Sequence, residues 1–266
     1  LRLRTVNNSH AGHRLQTFAG LSHSTNQRQP GHHAPPMQLT LLDPDHPHQA
    51  FPPLHKALKQ PNGLLAFGGC LSPQRIVNAY RHGVFPWFNP GEPILWWSPD
   101  PRLVLFPEHL NISRSLAKTL RKQPFEIRYD NAFRQVIDAC AAPRSEDGGT
   151  WITDDIRQAY ITLHHLGIAH SCEAWLDGQL VGGLYGIAIG QVFFGESMFH
   201  RKTDASKIVF VHLVRQLTAW GYQLIDCQVS SEHLLSLGAA EIPRSRFVEL
   251  LDRLCDQSPS ADAWQA

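Results

Sequence analysis

Three stretches of this sequence predict an α+β fold with a mixed or antiparallel sheet flanked by helices. Residues 171–199, SCEAWLDGQLVGGLYGIAIGQVFFGESMF, read as strand, Asp-Gly turn, strand, glycine turn and strand, an antiparallel meander. Residues 191–228 read as strand, helix and strand: QVFFGESMFHR, TDASKIVFVHLVRQLTAWG and YQLIDCQ. Amphipathic helices precede and follow, among them TDDIRQAYITLHHLG and PRSRFVELLDRLC.

In chain order, residues 1–36 contain no Asp or Glu and hardly any periodic apolar pattern, so a disordered leader is expected. The first methionine is Met37, which suggests that translation starts there and that the leader is an upstream over-extension of the reading frame. Residues 37–101 form a small N-terminal α+β domain of short apolar runs broken by Pro and Gly, with a helix from Ser72-Pro73 to Gly83. The prolines of VFPWFNPGEPILWWSPDP predict an extended, irregular path there. Its tryptophans Trp87, Trp96 and Trp97 are either glue between domains or stackers of a ligand.

Residues 102–256 make the larger domain. It opens with a strand at 102–106 and the helix ISRSLAKTLRK, whose Ile112, Leu116 and Leu120 face a core. Arg114, Lys118, Arg121 and Lys122 lie on its remaining surface, a stripe suited to a phosphate backbone or simply a solvated face. FEIRY is a strand and NAFRQVIDACA a helix. TDDIRQAYITLHHLG is capped by Thr153 and ended by Gly167. After the meander and the strand–helix–strand come two helices, SEHLLSLG and PRSRFVELLDRLC, and a flexible tail, 257–266.

Inside apolar strands stand three polar residues, Glu196, Asp226 and Gln228. A carboxylate there costs several kcal/mol unless it is paired, hydrogen-bonded or open to a ligand. Asp226 and Gln228, two apart, project to one face while Cys227 faces away. If both strands share a sheet, Glu196 joins their cleft. The alternative is that Asp226 caps the next helix and Glu196 makes a structural salt bridge.

Composition narrows the function classes. A net charge of +1 excludes a globally basic nucleic-acid binder but leaves room for a local basic face. No run approaches the roughly 18 apolar residues of a membrane helix, so no membrane partner is expected. Five scattered cysteines, without a C-x-x-C pair, fit reduced thiols in a cytoplasmic protein. No metal site is expected, and neither phosphate-cradling glycine motif is present.

PNGLLAFGG, GVFPWF, ILWWSPDPR, ISRS, GTWI, GESMF, ASK, LIDCQ and SLGA-x-EIPR, in this order, resemble the leucyl/phenylalanyl-tRNA–protein transferases. The resemblance implies that the larger domain is GNAT-like. It also implies an enzyme, a leucyltransferase of the aminoacyl-tRNA–protein transferase class. Such an enzyme moves Leu, Phe or Met from aminoacyl-tRNA to the N-terminal Arg or Lys of a protein, marking it for N-degron degradation. No cofactor is implied. Carried onto this chain, the family pattern places acceptor and catalytic functions on Glu196, Asp226 and Gln228. The tRNA 3′ adenosine falls to Trp87, Trp151 and Tyr160, and the aminoacyl side chain to Leu184, Phe193, Met198, Leu213, Leu217 and Ile225. The tRNA-contacting helix aligns with Arg114, Lys118, Arg121 and Lys122. Leu184 and Leu213 stand where the pattern has Met and Phe, so the resemblance leaves the order of preference among donors open.

The implied reaction is aminolysis of an ester, which needs no activated Ser or Cys; orientation alone can lower the barrier by about 7 to 11 kcal/mol. Gln228 is expected to accept a hydrogen bond and aim the attacking amine, Asp226 to polarise Gln228 and offset the growing positive charge, the pair to position and relay the proton, and Glu196 to pair with the cationic acceptor. Two alternatives carry different expectations. A coenzyme A-dependent acetyltransferase needs a glycine-bearing pyrophosphate loop, and HRKTDASK has no glycine. A non-catalytic tRNA-binding module would leave the polar trio idle.

Overall fold

The structure, a computed structural model, describes residues 39–142 and 150–265. The expected leader, residues 1–36, and most of the loop before Trp151 lie outside the described residues.

Four short strands form a first sheet: β1 (Thr40–Leu42), β2 (Leu64–Gly68), β3 (Phe85–Pro86) and β4 (Leu95–Trp97), in the order β1-β2-β4-β3. The path expected to be irregular therefore supplies two paired strands. Pro86 is tolerated because β3 is the last strand in this order, where a missing N–H breaks no ladder on the open side. Trp96 is fully buried in this layer and its Nε1 donates to Gly68 O at 2.9 Å. Between β2 and β3, α1 (Pro73–Arg81) starts where expected: Ser72 Oγ accepts from Arg75 N at 3.2 Å, with Pro73 in the first turn.

The second sheet has seven strands: β5 (Arg102–Leu105), β6 (Glu126–Tyr129), β7 (Ala169–Leu176), β8 (Gln179–Ile189), β9 (Val192–His200), β10 (Leu224–Gln228) and β11 (Ala240–Ile242). Their order is β11-β5-β10-β9-β8-β7-β6. The meander is β7-β8-β9, turned at Asp177-Gly178, where both residues have positive φ as a tight hairpin requires. The crossover helix α5 (Ala205–Ala219) makes β9 and β10 parallel neighbours in an otherwise antiparallel sheet, so the sheet is mixed as expected. The strand β11 was not anticipated. Three residues, Ala-Glu-Ile, carry no periodic signal, and antiparallel pairing with β5 makes the strand.

Helices cover both faces. α3 (Phe133–Ala141), α4 (Asp154–His165), α7 (Arg244–Leu254) and α1 pack with Phe194, Tyr185 and Ile187 into one core. On the other face α5, joined by α2 (Arg114–Arg121), packs with Phe193, Met198 and Ile225 into a second. α5 buries residues on nearly all sides, which explains its VFVHLV run. α4 is capped as read, Thr153 Oγ1 accepting from Ile156 N at 3.3 Å, and ends before Gly167 at φ +69°. α6 (Glu232–Ser236) links β10 to β11. The segment expected to be a flexible tail is instead docked, because Trp264 stacks on His170 with ring centroids 4.1 Å apart. Among the described residues no helix is long and apolar enough to cross a membrane.

Candidate functional site

Glu196, Asp226 and Gln228 converge where β9 and β10 part. Their parallel ladder runs from Leu224 opposite Val192 to Asp226 opposite Phe194 and goes no further. Each strand is also irregular at that height. Against β8 the register of β9 slips so that Glu196 is the extra residue. Against β5 the register of β10 slips between Asp226 and Gln228, and Gln228 sits at φ +61°. Bulges bend strands and re-aim side chains, so Glu196 and Gln228 stand just beyond the last shared rung, both fully buried. A left-handed backbone at a non-glycine residue persists only where the surroundings hold it.

Asp226 supplies that hold. Arg102 on β5 binds it in a fork, Nε to Oδ1 at 2.8 Å and Nη2 to Oδ2 at 2.6 Å, with both side chains fully buried. The guanidinium lies over the rings of Phe85 (4.8 Å) and Phe247 (4.5 Å) and donates to Gly83 O at 3.1 Å. Gln228 uses the rest of the carboxylate: its backbone N donates to Oδ1 at 3.0 Å and its Nε2 to Oδ2 at 3.2 Å. Each Asp226 oxygen thus takes two donors. These four hydrogen bonds join Asp226 to Arg102 on one side and to Gln228 on the other, so Asp226 holds Gln228 in place. The expected alternative, a cap on α6, is not met, since that helix starts at Ser231 without a side-chain cap.

The amide nitrogen of Gln228 is committed and its Oε1, equally buried, has no partner among the described residues. Leaving a buried acceptor unmet costs roughly 1–3 kcal/mol. Such an oxygen is suited to an N–H brought by a ligand.

Glu196 takes its partners from two helices. Tyr80 on α1 donates to Oε1 at 2.5 Å, Tyr160 on α4 donates to Oε2 at 3.1 Å, and the two phenol oxygens are 2.6 Å apart. The three groups come from three elements, and Glu196 is fully buried. Cys227, between the two site residues, points to the other core, and burial, aided by the Asp226 charge, pushes its thiol pKa far up. It stays protonated and is no nucleophile.

Trp151 and Tyr160 are buried in the large core that also holds Tyr80, and Trp87, half-buried, packs against that core and is tilted against Trp97 at 5.4 Å. Leu184, Phe193, Met198, Leu213, Leu217 and Ile225 form one cluster as well, each at most 2% exposed. That cluster lies on the α5 face, whereas the polar residues and their partners pack on the face of α1, α4 and α7. The two groups are separated by the sheet. Arg114, Lys118, Arg121 and Lys122 are all exposed on or just after α2, which inserts Leu116 into the α5-side core. Tyr80 and Arg102 escaped the sequence reading. A cation in the apolar strand RLVL is the same signal that singled out the acids, and Tyr80 is the polar-tipped aromatic on the apolar stripe of α1.

Two family models match this chain: leucyl/phenylalanyl-tRNA protein transferase N-terminal domain over residues 69–100, and leucyl/phenylalanyl-tRNA protein transferase over residues 104–252. A protein of Methylococcus capsulatus named leucyl/phenylalanyl-tRNA–protein transferase is 60% identical over 227 residues, covering 85% of this chain and 97% of that one. One of Nitrosomonas europaea with the same name is 64% identical over 204 residues, covering 77% and 86%. Among solved structures, a GCN5-related N-acetyltransferase from Kribbella flavida aligns at TM-score 0.33 and 13% identity, over 64% of this chain and 60% of that one.

Proposed function

This chain belongs to the leucyl/phenylalanyl-tRNA–protein transferase family and is an aminoacyltransferase, and we propose how its residues divide the work. The donor is an aminoacyl-tRNA carrying Leu, Phe or Met, and the acceptor is a protein whose N-terminal residue is Arg or Lys. The acceptor α-amine attacks the ester carbonyl that joins the amino acid to the tRNA ribose. An amide forms, the ester C–O bond breaks, the ribose oxygen leaves with a proton, and the amine loses one.

The observation that carries this reading is the state of Gln228. An amide locked by Asp226 and Arg102, with one unmet acceptor atom, can take an N–H of the attacking amine and point its lone pair at the carbonyl. Held this way, Gln228 orients and does not itself act as a base. Glu196, on the neighbouring strand, offers a carboxylate held by two phenols to the positive charge of the acceptor terminus. The aminoacyl side chain passes between the parted strands into the apolar cluster under α5, which rewards Leu, Phe and Met and rejects polar groups. Trp87, Trp151 and Tyr160 stack the terminal adenosine, worth about 1–3 kcal/mol per base. The exposed cations of α2 meet the tRNA backbone. In this reading the enzyme works in the cytoplasm and its product is an N-degron substrate.

Transfer of labelled Leu from tRNA to an Arg-terminal peptide tests the proposal. Transfer is expected with the peptide bearing a free N-terminal Arg and not with its acetylated form. Equal labelling of both peptides, or of neither, overturns it.

A further inference from the structure

Beneath the sheet, the C-terminal tail reaches the apolar cluster assigned above to the aminoacyl side chain. Ser260 N donates to Trp220 O at 2.8 Å and Gln191 Nε2 donates to Ser258 O at 3.0 Å, which ties the tail to the end of α5 and the start of β9. Trp264 then turns inward. Its ring stacks on His170 (4.1 Å, 12° between planes), tilts against Trp220 (4.7 Å) and meets the edge of Tyr129 (6.3 Å). Its Nε1 donates to Tyr222 Oη at 2.9 Å. Trp264 has φ +60°, a conformation that a bulky L residue keeps only when its contacts enforce it.

Trp264 also lies against Phe193, stacked at 5.9 Å with 26° between planes. Phe193 is fully buried and lines the cluster under α5 together with Leu217, which stands three residues, about one helical turn, before Trp220. Trp264 therefore touches one wall residue directly and another through Trp220. It lies at the N-terminal end of β9, behind Phe193, while Glu196 is the middle residue of β9 and Gln228 the last of β10. We propose that Trp264 is the back wall of the aminoacyl pocket: by fixing Phe193 it limits pocket depth, and the tail sets the preference among Leu, Phe and Met. The inference rests on the assignment of the α5-side cluster to the aminoacyl side chain. Trp264 is a positioning residue, since it acts through Phe193.

The test compares kcat/KM for Leu-, Phe- and Met-charged tRNA with an Arg-terminal peptide, in the full chain and in Trp264→Ala, Trp264→Leu and Trp264→Phe. Removing the indole frees space behind Phe193, so the ratio of Phe to Leu transfer should rise about five- to tenfold in W264A, less in W264L and least in W264F. A uniform fall for all three donors, with the ratio unchanged, makes the tail a structural strut and overturns the proposal while leaving transferase activity intact. Where W264A does not fold, equal ratios in W264L and W264F overturn it. Absence of transfer by the unaltered chain instead overturns the reading beneath.

Discussion

The same two strands, β9 and β10, present opposite chemistry on their two faces. On one, Glu196, Asp226 and Gln228 belong to polar networks, in which each Asp226 oxygen takes two donors and each Glu196 oxygen takes a phenol. On the other, Phe193, Met198 and Ile225 interlock with α5 through contacts that have no direction. Hydrogen bonds and buried charges punish the loss of one partner, because the other is stranded away from water. Apolar packing yields more gradually, at a cost that follows volume. The polar face should thus be brittle and the apolar face adjustable, which suits a site whose geometry must be held while its side-chain preference is tuned.

Breaking the polar face at Arg102 has the largest expected effect. Arg102→Met strands Asp226, and the expected destabilisation is about 3–5 kcal/mol, read as a lower midpoint in urea unfolding at unchanged slope. Adding Asp226→Leu should recover part of that loss, because no charge then remains buried alone. A loss under about 1 kcal/mol in the single variant would place this ion pair with exposed ones and dissolve the contrast.

Gln228 separates holding from reacting. Its side chain supplies one of the donors around Asp226, so Gln228→Ala should cost about 1 kcal/mol of stability while kcat falls on the order of 100-fold through lost orientation. Single-turnover measurements with saturating donor isolate the step. A rate within threefold of the unaltered enzyme's would remove Gln228 from the reaction.

Tyr80→Phe takes one donor from Glu196 and keeps the ring against Phe194. Stability should fall by about 1–3 kcal/mol, with KM for the acceptor peptide rising more than kcat falls. The reverse split would assign the phenol to chemistry at the carbonyl.

These partners show where sequence stops being informative. Ser72, Thr153 and Gly167 announce α1 and α4 because caps and stops are local, and each sits where read. Acids in apolar strands are likewise visible, and the alternation along β10 gave the shared face of Asp226 and Gln228. What pairs with them depends on strand order. Arg102 meets Asp226 across 124 positions because β5 lies beside β10, and Tyr80 meets Glu196 across 116 because α1 packs over β9. No local pattern encodes either neighbour. The six apolar residues that the resemblance named share the core under α5, across the sheet from the acids, and no local pattern in the sequence shows that placement. That separation depends on the opposite faces of Phe193 and Phe194 and on the bulge at Glu196. The docked tail was missed because a lone Trp264 among small and polar residues has no periodicity to betray a binding place.

On the apolar face the smallest effect is expected, and it sharpens the comparison most. Leu184 on β8 stands opposite Met198 on β9 and Cys172 on β7, fully inside the cluster under α5. Leu184→Met keeps the volume and exchanges a branched side chain for a flexible one, so stability should change by less than about 1.5 kcal/mol. The wall then yields to longer occupants, and Phe and Met transfer should gain on Leu by about threefold at an unchanged unfolding midpoint. Donor competition with mixed charged tRNAs reads this ratio directly. A stability loss as large as that of Arg102→Met would mean that both faces of the strands are equally brittle. An unchanged ratio at full stability would mean that side-chain selection happens elsewhere than under α5.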